Sequence, residues 1–177
     1  MTHFMHAFSV GAFGPTLRSL GNVLGKGLEH QVIRRLDANA LPDARLAPDM
    51  YTLTQQVQLA CDLAKNGTSR LIGQAPPVFE DNEITLEDLK TRVQRTIDYL
   101  EGLDPAAFDG AQSVRITLPL EPGVALECSG LEFLRDWVNG NFYFHVVTAY
   151  DILRNQGVEI GKRDFLGHLA SAIRQSA

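Results

Sequence analysis

Apolar residues at Val10, Phe13, Leu17, Leu20, Leu24 and Leu28 recur in steps of three and four, the spacing that lines one face of a helix. Pro15 interrupts this stripe. It predicts either a helix opening at its first turn or a kink in a longer helix that begins near Phe4. Residues 37–50, DANALPDARLAPDM, carry two prolines and three aspartates without a period and read as a long connection. A second helix is expected from about Tyr51 to Leu71. Thr52 and Gln55 stand at capping-box spacing, and Leu53, Val57, Ala60, Cys61, Ala64, Thr68 and Leu71 form its inner stripe. GQAPPVFEDNE then breaks the pattern. Thr85 is the expected N-cap of a third helix, whose apolar positions are Leu86, Leu89, Val93, Ile97 and Leu100.

From residue 113 to about 128 the period changes to two. SVRITLPLEPGVALEC alternates around Glu121-Pro122-Gly123 and predicts a hairpin that must lean on the helices, because two strands alone are marginal in water. The fourth helix is expected from about Leu131 to Asn155. Leu131, Leu134, Val138, Phe142, His145, Ala149 and Ile152 make its core stripe. Phe133, Trp137, Phe144 and Val147 form a second row, with Tyr143 and Tyr150 elsewhere, so this helix is apolar round most of its circumference. Such a surplus fits burial by neighbours, by the hairpin or by a second copy of the chain. The tail, 158–177, adds a short helix with Asp164 as its expected N-cap. The whole of 1–177 is expected to be one mainly α domain: an antiparallel four-helix bundle with a small β-hairpin inserted before the last long helix.

Composition narrows the function classes. A chain of 177 residues with 45% hydrophobic and 21% charged residues can bury a sizeable core. A net charge of -5 opposes nucleic-acid or anionic-lipid binding, both of which want a dense basic face. Cys61 and Cys128 lack metal-ligand or disulfide spacing and are expected to remain thiols in a cytoplasmic protein. The apolar start has no lysine or arginine before Arg18, which weakens a signal-peptide reading, and no run approaches the ~20 residues of a membrane span.

Candidate chemistry centres on His145. Its place on the core stripe suits a hydrogen-bonded core histidine, with Asn141 one turn earlier and Thr148 one turn later as partners. The same place suits a polar pocket formed by His145 and Asn141 inside the bundle, where ligand sites are often built. A zinc site wants about three ligands, yet the helical neighbours of His145 are Asn141, Phe142, Thr148 and Ala149. Asp62 is the nearest plausible carboxylate, although its neighbours on the helix place it on the polar side. No metal is therefore expected; a divalent ion such as zinc or nickel on His145 and Asp62 is the weaker alternative. The pairs His3/His6 and Asp164/His168 also have ligand-like spacing, but the first sits at a terminus and the second is better explained by capping. Cys61 reads as an inert buried thiol. Arg45 and Asp49, four apart, are expected to pair and pin the first connection, with Arg45 as a further candidate ligand contact.

ARLAPDMYTLTQQVQLACDLAK, FLRDWVNGNFYFHVVTAYDILRNQGVEIGKRDFLG and the Phe-Glu-Asp after a double proline resemble a bacterial family of uncharacterised proteins known only as a domain of unknown function. That family is similar in fold to the DinB/YfiT-like bundles, and the resemblance spans roughly residues 10–167. It implies an up-down-down-up four-helix bundle, often dimeric. Better-known members of the superfamily hold a metal on three histidines, one from the second helix and two from the last, and some act as metal-dependent thiol transferases or hydrolases. This chain departs from the pattern. Its last helix offers His145 followed by Ala149, and its second helix offers Asp62-Leu63 and no histidine. The expectation is thus a cytoplasmic, homodimeric DinB-like bundle that binds a small ligand or partner around Asn141 and His145. The alternatives are a metal-dependent transferase or hydrolase with a degenerate site, and a homodimeric interaction protein.

Overall fold

A computed structural model describes residues 3–174. Helix α1 spans Phe4–Phe8 and α2 spans Val10–Arg34, with the break between them at Ser9, whose hydroxyl donates to the Met5 carbonyl at 2.6 Å. Pro15 lies inside α2, so it neither opens that helix nor marks the interruption, which falls six residues earlier. Helix α3 spans Leu53–Leu71 and α4 spans Leu86–Glu101. Both begin with the expected threonine: Thr52 receives the Gln55 N–H and Thr85 the Asp88 N–H, and each is answered by a return bond from the side chain at the third position. The inner stripe expected for α3 is entirely buried, as is that of α4.

Eight pairs of facing residues, two for each pair of neighbouring helices, fix the directions. Phe13 meets Phe142, and Gly27 lies against Leu153, so α2 runs parallel to α6, Asn139–Asn155. Asp62 meets Arg92 and Ser69 meets Tyr99, so α3 and α4 are parallel too. Gln56 faces His145 while Gly67 faces Val138, which makes α3 and α6 antiparallel. Arg18 with Glu101 and Gly21 with Val93 do the same for α2 and α4. The bundle is up-down-down-up.

Parallel neighbours cannot be joined by a tight turn. The fourteen residues between Leu71 and Leu86 must carry the chain back along most of α3, roughly 25 Å at 1.5 Å per residue, well within their extended reach. They run as an irregular strap, and buried cations hold it. Lys65 Nζ donates to the Pro77 carbonyl at 2.8 Å. The guanidinium of Arg92, fully buried, donates to the Glu80 carbonyl at 3.2 Å and pairs with Asp81, Glu83 and Asp62 at 2.9, 3.0 and 3.0 Å. Phe79 lies under the charged ends of Arg95 and Lys65, 4.2 and 4.9 Å from its ring centre.

After α4, short 3-10 turns at Pro105–Phe108 and Ala111–Ser113 lead into the antiparallel hairpin of β1, Arg115–Glu121, and β2, Val124–Ser129. The last long helix then begins as α5, Gly130–Glu132, capped by Ser129 and Glu132. It widens to a π-helical segment, Phe133–Val138, before continuing as α6. Helix α7, Lys162–Phe165, begins after Gly161 rather than at Asp164. Asp164 sits at its third position, accepting the Gly161 N–H at 2.8 Å and pairing with Lys26.

Breaking the Arg92 cluster should be costly, because it strands the buried Glu83 carboxylate and leaves the strap without its anchor. Arg92→Met is expected to lower stability in urea unfolding by about 3–5 kcal/mol. Arg95→Met, on the same ring but exposed, should cost less than about 1 kcal/mol. Equal small costs for the two would show that the strap is held otherwise.

Candidate functional site

His145 lies buried in the α3–α6 seam, and its Nδ1 stands 2.7 Å from Gln56 Oε1. The Gln56 amide nitrogen donates to the Tyr51 carbonyl at 3.4 Å, which turns the amide oxygen toward the imidazole. His145 therefore carries its proton on Nδ1 and presents a lone pair at Nε2. The partners expected on its own helix are engaged elsewhere. Asn141 donates to the Trp137 carbonyl at 2.7 Å and Thr148 to the Phe144 carbonyl at 2.7 Å. Burial alone lowers the pKa of His145, so the ring is neutral near pH 7.

The other expected site residues are scattered. Arg45 does not pair with Asp49; it donates to the Pro48 and Met50 carbonyls at 3.3 Å each and so closes its own connection. Asp62 is half-buried, held by Arg92 and, at 3.5 Å, by Lys65, instead of being a solvated aspartate. It follows Gln56 by six residues, about 9 Å of helix rise, and no hydrogen bond or ion pair links it to His145 among the described residues. His3 bonds to Asp109 and His6 packs edge-on against Phe108, while His168 stands 3.3 Å from Ser19 Oγ. Cys61 is sealed in the core, with its thiol pKa pushed up to about 12 chiefly by burial.

These residues do not fit a three-histidine metal centre. Gln56 occupies the second-helix side of His145 and Ala149 follows at the next turn, so the free Nε2 lone pair has no histidine beside it on either helix. Among the described residues no three His, Cys, Asp or Glu side chains gather to hold an ion.

Farther along the same seam a groove of about 390 Å³ opens between α3, β1 and the π-helical segment. Its apolar walls are Leu59 and Leu63 from α3, Leu118 and Leu120 from β1, and Phe133 with Trp137. The wide turn matters here. It brings Phe133 and Val138, five apart, onto one face, which an α-helical period would separate. Val138 is pressed against α3 at Gly67, where an added Cβ would stand 2.7 Å from its Cγ1. Asp62, Asn66 and Arg70, one turn apart on α3, form the polar edge. The sequence signal for this groove was the apolar row of Phe133 and Trp137 outside the core stripe; nothing in that pattern revealed the π turn.

A model for DUF1993, a domain of unknown function, matches residues 5–166. The chain belongs to this family. It is also similar to a DinB family member protein from Shewanella denitrificans, known from its crystal structure, at 37% identity and a TM-score of 0.88 over 100% of this chain and 99% of that one. No curated protein matches the chain. The DinB-like bundle expected from the two long motifs is therefore present, and no helix among the described residues of this DUF1993 member is long and apolar enough to cross a membrane.

The buried imidazole gives the fold a definite pH response. Unfolded chains take up a proton at an ordinary histidine pKa of about 6.5, whereas His145 in the fold resists it. Stability is thus expected to fall as pH drops through that value. His6, also lowered, mainly by burial and then by His3, acts with the same sign. Urea unfolding of His145→Gln should show a shallower decline between pH 7 and pH 5, with the His6 share remaining. An unchanged slope would mean that His145 titrates as it does in water.

Proposed function

We propose that the protein is a cytoplasmic small-ligand-binding DinB-like bundle without a tightly bound metal, and that the ligand occupies the groove beside Trp137. The observation that carries this reading is the groove itself: a concave, mainly apolar surface with a few polar groups at one edge, built on a π-helical turn. Such turns recur where a helix must present side chains to a ligand. The His145–Gln56 pair then belongs to the wall that sets the α3–α6 seam, with no place in a metal set.

Trp137 is the chain's one tryptophan, so it reports on the groove directly. Phenyl compounds absorb below its excitation band, which allows titration with 4-phenylbutyrate, 4-phenylbutanol and 4-phenylbutylamine. At least one should give a saturable fluorescence change that Leu63→Lys removes without loss of helical circular dichroism. No saturable change with any of the three, or a change that Leu63→Lys leaves intact, would reject the groove as a binding site.

A homodimer is the second reading, favoured by Phe144, 57% exposed, together with Val147 and Tyr143 on α6. Sedimentation of Phe144→Asp is expected to show the monomer mass where the native chain shows twice that mass. Identical masses for the two would reject pairing through this face.

A further inference from the structure

The charges that line the groove point to one class of ligand. Two ionised side chains reach its edge, Asp62 and Arg70. The Asp62 carboxylate accepts from Arg92 Nη2 at 3.0 Å and lies 3.5 Å from Lys65 Nζ, so its charge is spent on the cations of α4 and α3 that hold the strap. Arg70 is different. Its Nη1 donates to the Thr117 carbonyl at 3.2 Å, which holds the guanidinium over β1, and it has no carboxylate partner among the described residues. Asn66, between the two on the same helix face, adds a neutral amide at the edge.

The groove therefore offers a neutralised anion, an amide and one uncompensated cation beside a wall with two aromatic rings, Phe133 and Trp137. A cationic ligand would meet Arg70 with nothing to offset it. A neutral one would leave the guanidinium's remaining donors to water. Resting on the groove reading above, we propose that the DUF1993 protein takes a small aromatic monocarboxylate, with the ring among Phe133, Trp137 and Leu63 and the carboxylate on Arg70. Guanidinium and carboxylate match as a planar fork, and Arg70 is exposed at the groove edge, open to an incoming carboxylate.

The same three phenylbutyl compounds test the charge, and octanoate tests the ring. The acid is expected to bind about fivefold more tightly than the alcohol, the scale of one accessible ion pair, and the amine most weakly. In Arg70→Gln the acid-to-alcohol ratio should collapse to about one, and Arg70→Lys should restore part of it. Added salt should weaken the acid while sparing the alcohol. Octanoate should bind less tightly than 4-phenylbutyrate. If the alcohol or amine binds as tightly as the acid, or if the preference survives in Arg70→Gln, the anion selection is overturned while the groove stands. Octanoate in front of phenylbutyrate overturns the aromatic part alone. Absence of binding by every compound overturns both the groove and its selectivity.

Discussion

The fold turns on a guanidinium buried between two parallel helices. Because α3 and α4 run the same way, the chain between them must return along their outer side, and an irregular strap offers few apolar groups to hold it there. Arg92 supplies what the strap lacks. From one side chain it reaches a backbone carbonyl and two carboxylates of the strap and a carboxylate of α3. Burying that charge carries a large desolvation cost, which the ion pairs repay only if the geometry holds. The cluster is then less a source of net stability than a device that admits one path for the strap. Arg92 Nε, buried and without a partner, shows that even this path leaves one donor unsatisfied.

What the strap fixes on one side of α3 decides what is left on the other. Asp62 and Lys65 are drawn toward Arg92 and Pro77. Arg70, two turns beyond Asp62, looks toward β1 and has only a carbonyl for company. The hairpin, which cannot stand alone, leans its Leu118 and Leu120 over the same helix, and the π turn brings Phe133 and Trp137 to meet them. Groove, charge and aromatic wall follow from three separate packing problems solved around one helix.

Much of this was legible in the sequence. The helix stripes, the capping boxes at Thr52 and Thr85 and the hairpin at Pro122-Gly123 depend on neighbours within a turn or two, and local spacing records such neighbours. The strap was readable only as a break, although its Phe79-Glu80-Asp81 belongs to the motifs that carry the family resemblance. Arg92 was hidden because it stands beside Val93, where a charge normally faces water, and its partners lie 9 to 30 residues away. Gln56 was hidden in the same way, being polar, next to the stripe residue Val57 and 89 residues from His145. Arg45 and Asp49 show the opposite failure: helical spacing suggested a pair where the chain is not helical.

His145 illustrates how one polar contact changes the chemistry open to a site. A histidine aimed at a metal needs its lone pair free and other ligands beside it. Gln56, itself oriented by Tyr51, accepts a hydrogen bond from His145 Nδ1 and sets a neutral amide beside the imidazole. Burial then keeps the ring neutral. The seam gains a hydrogen bond that ties α3 to α6 at one end, as Gly67 against Val138 ties them at the other. Those two fixed points straddle the stretch of α3 from which Leu59, Asp62, Leu63 and Asn66 reach the groove. The imidazole thus holds the groove wall in register.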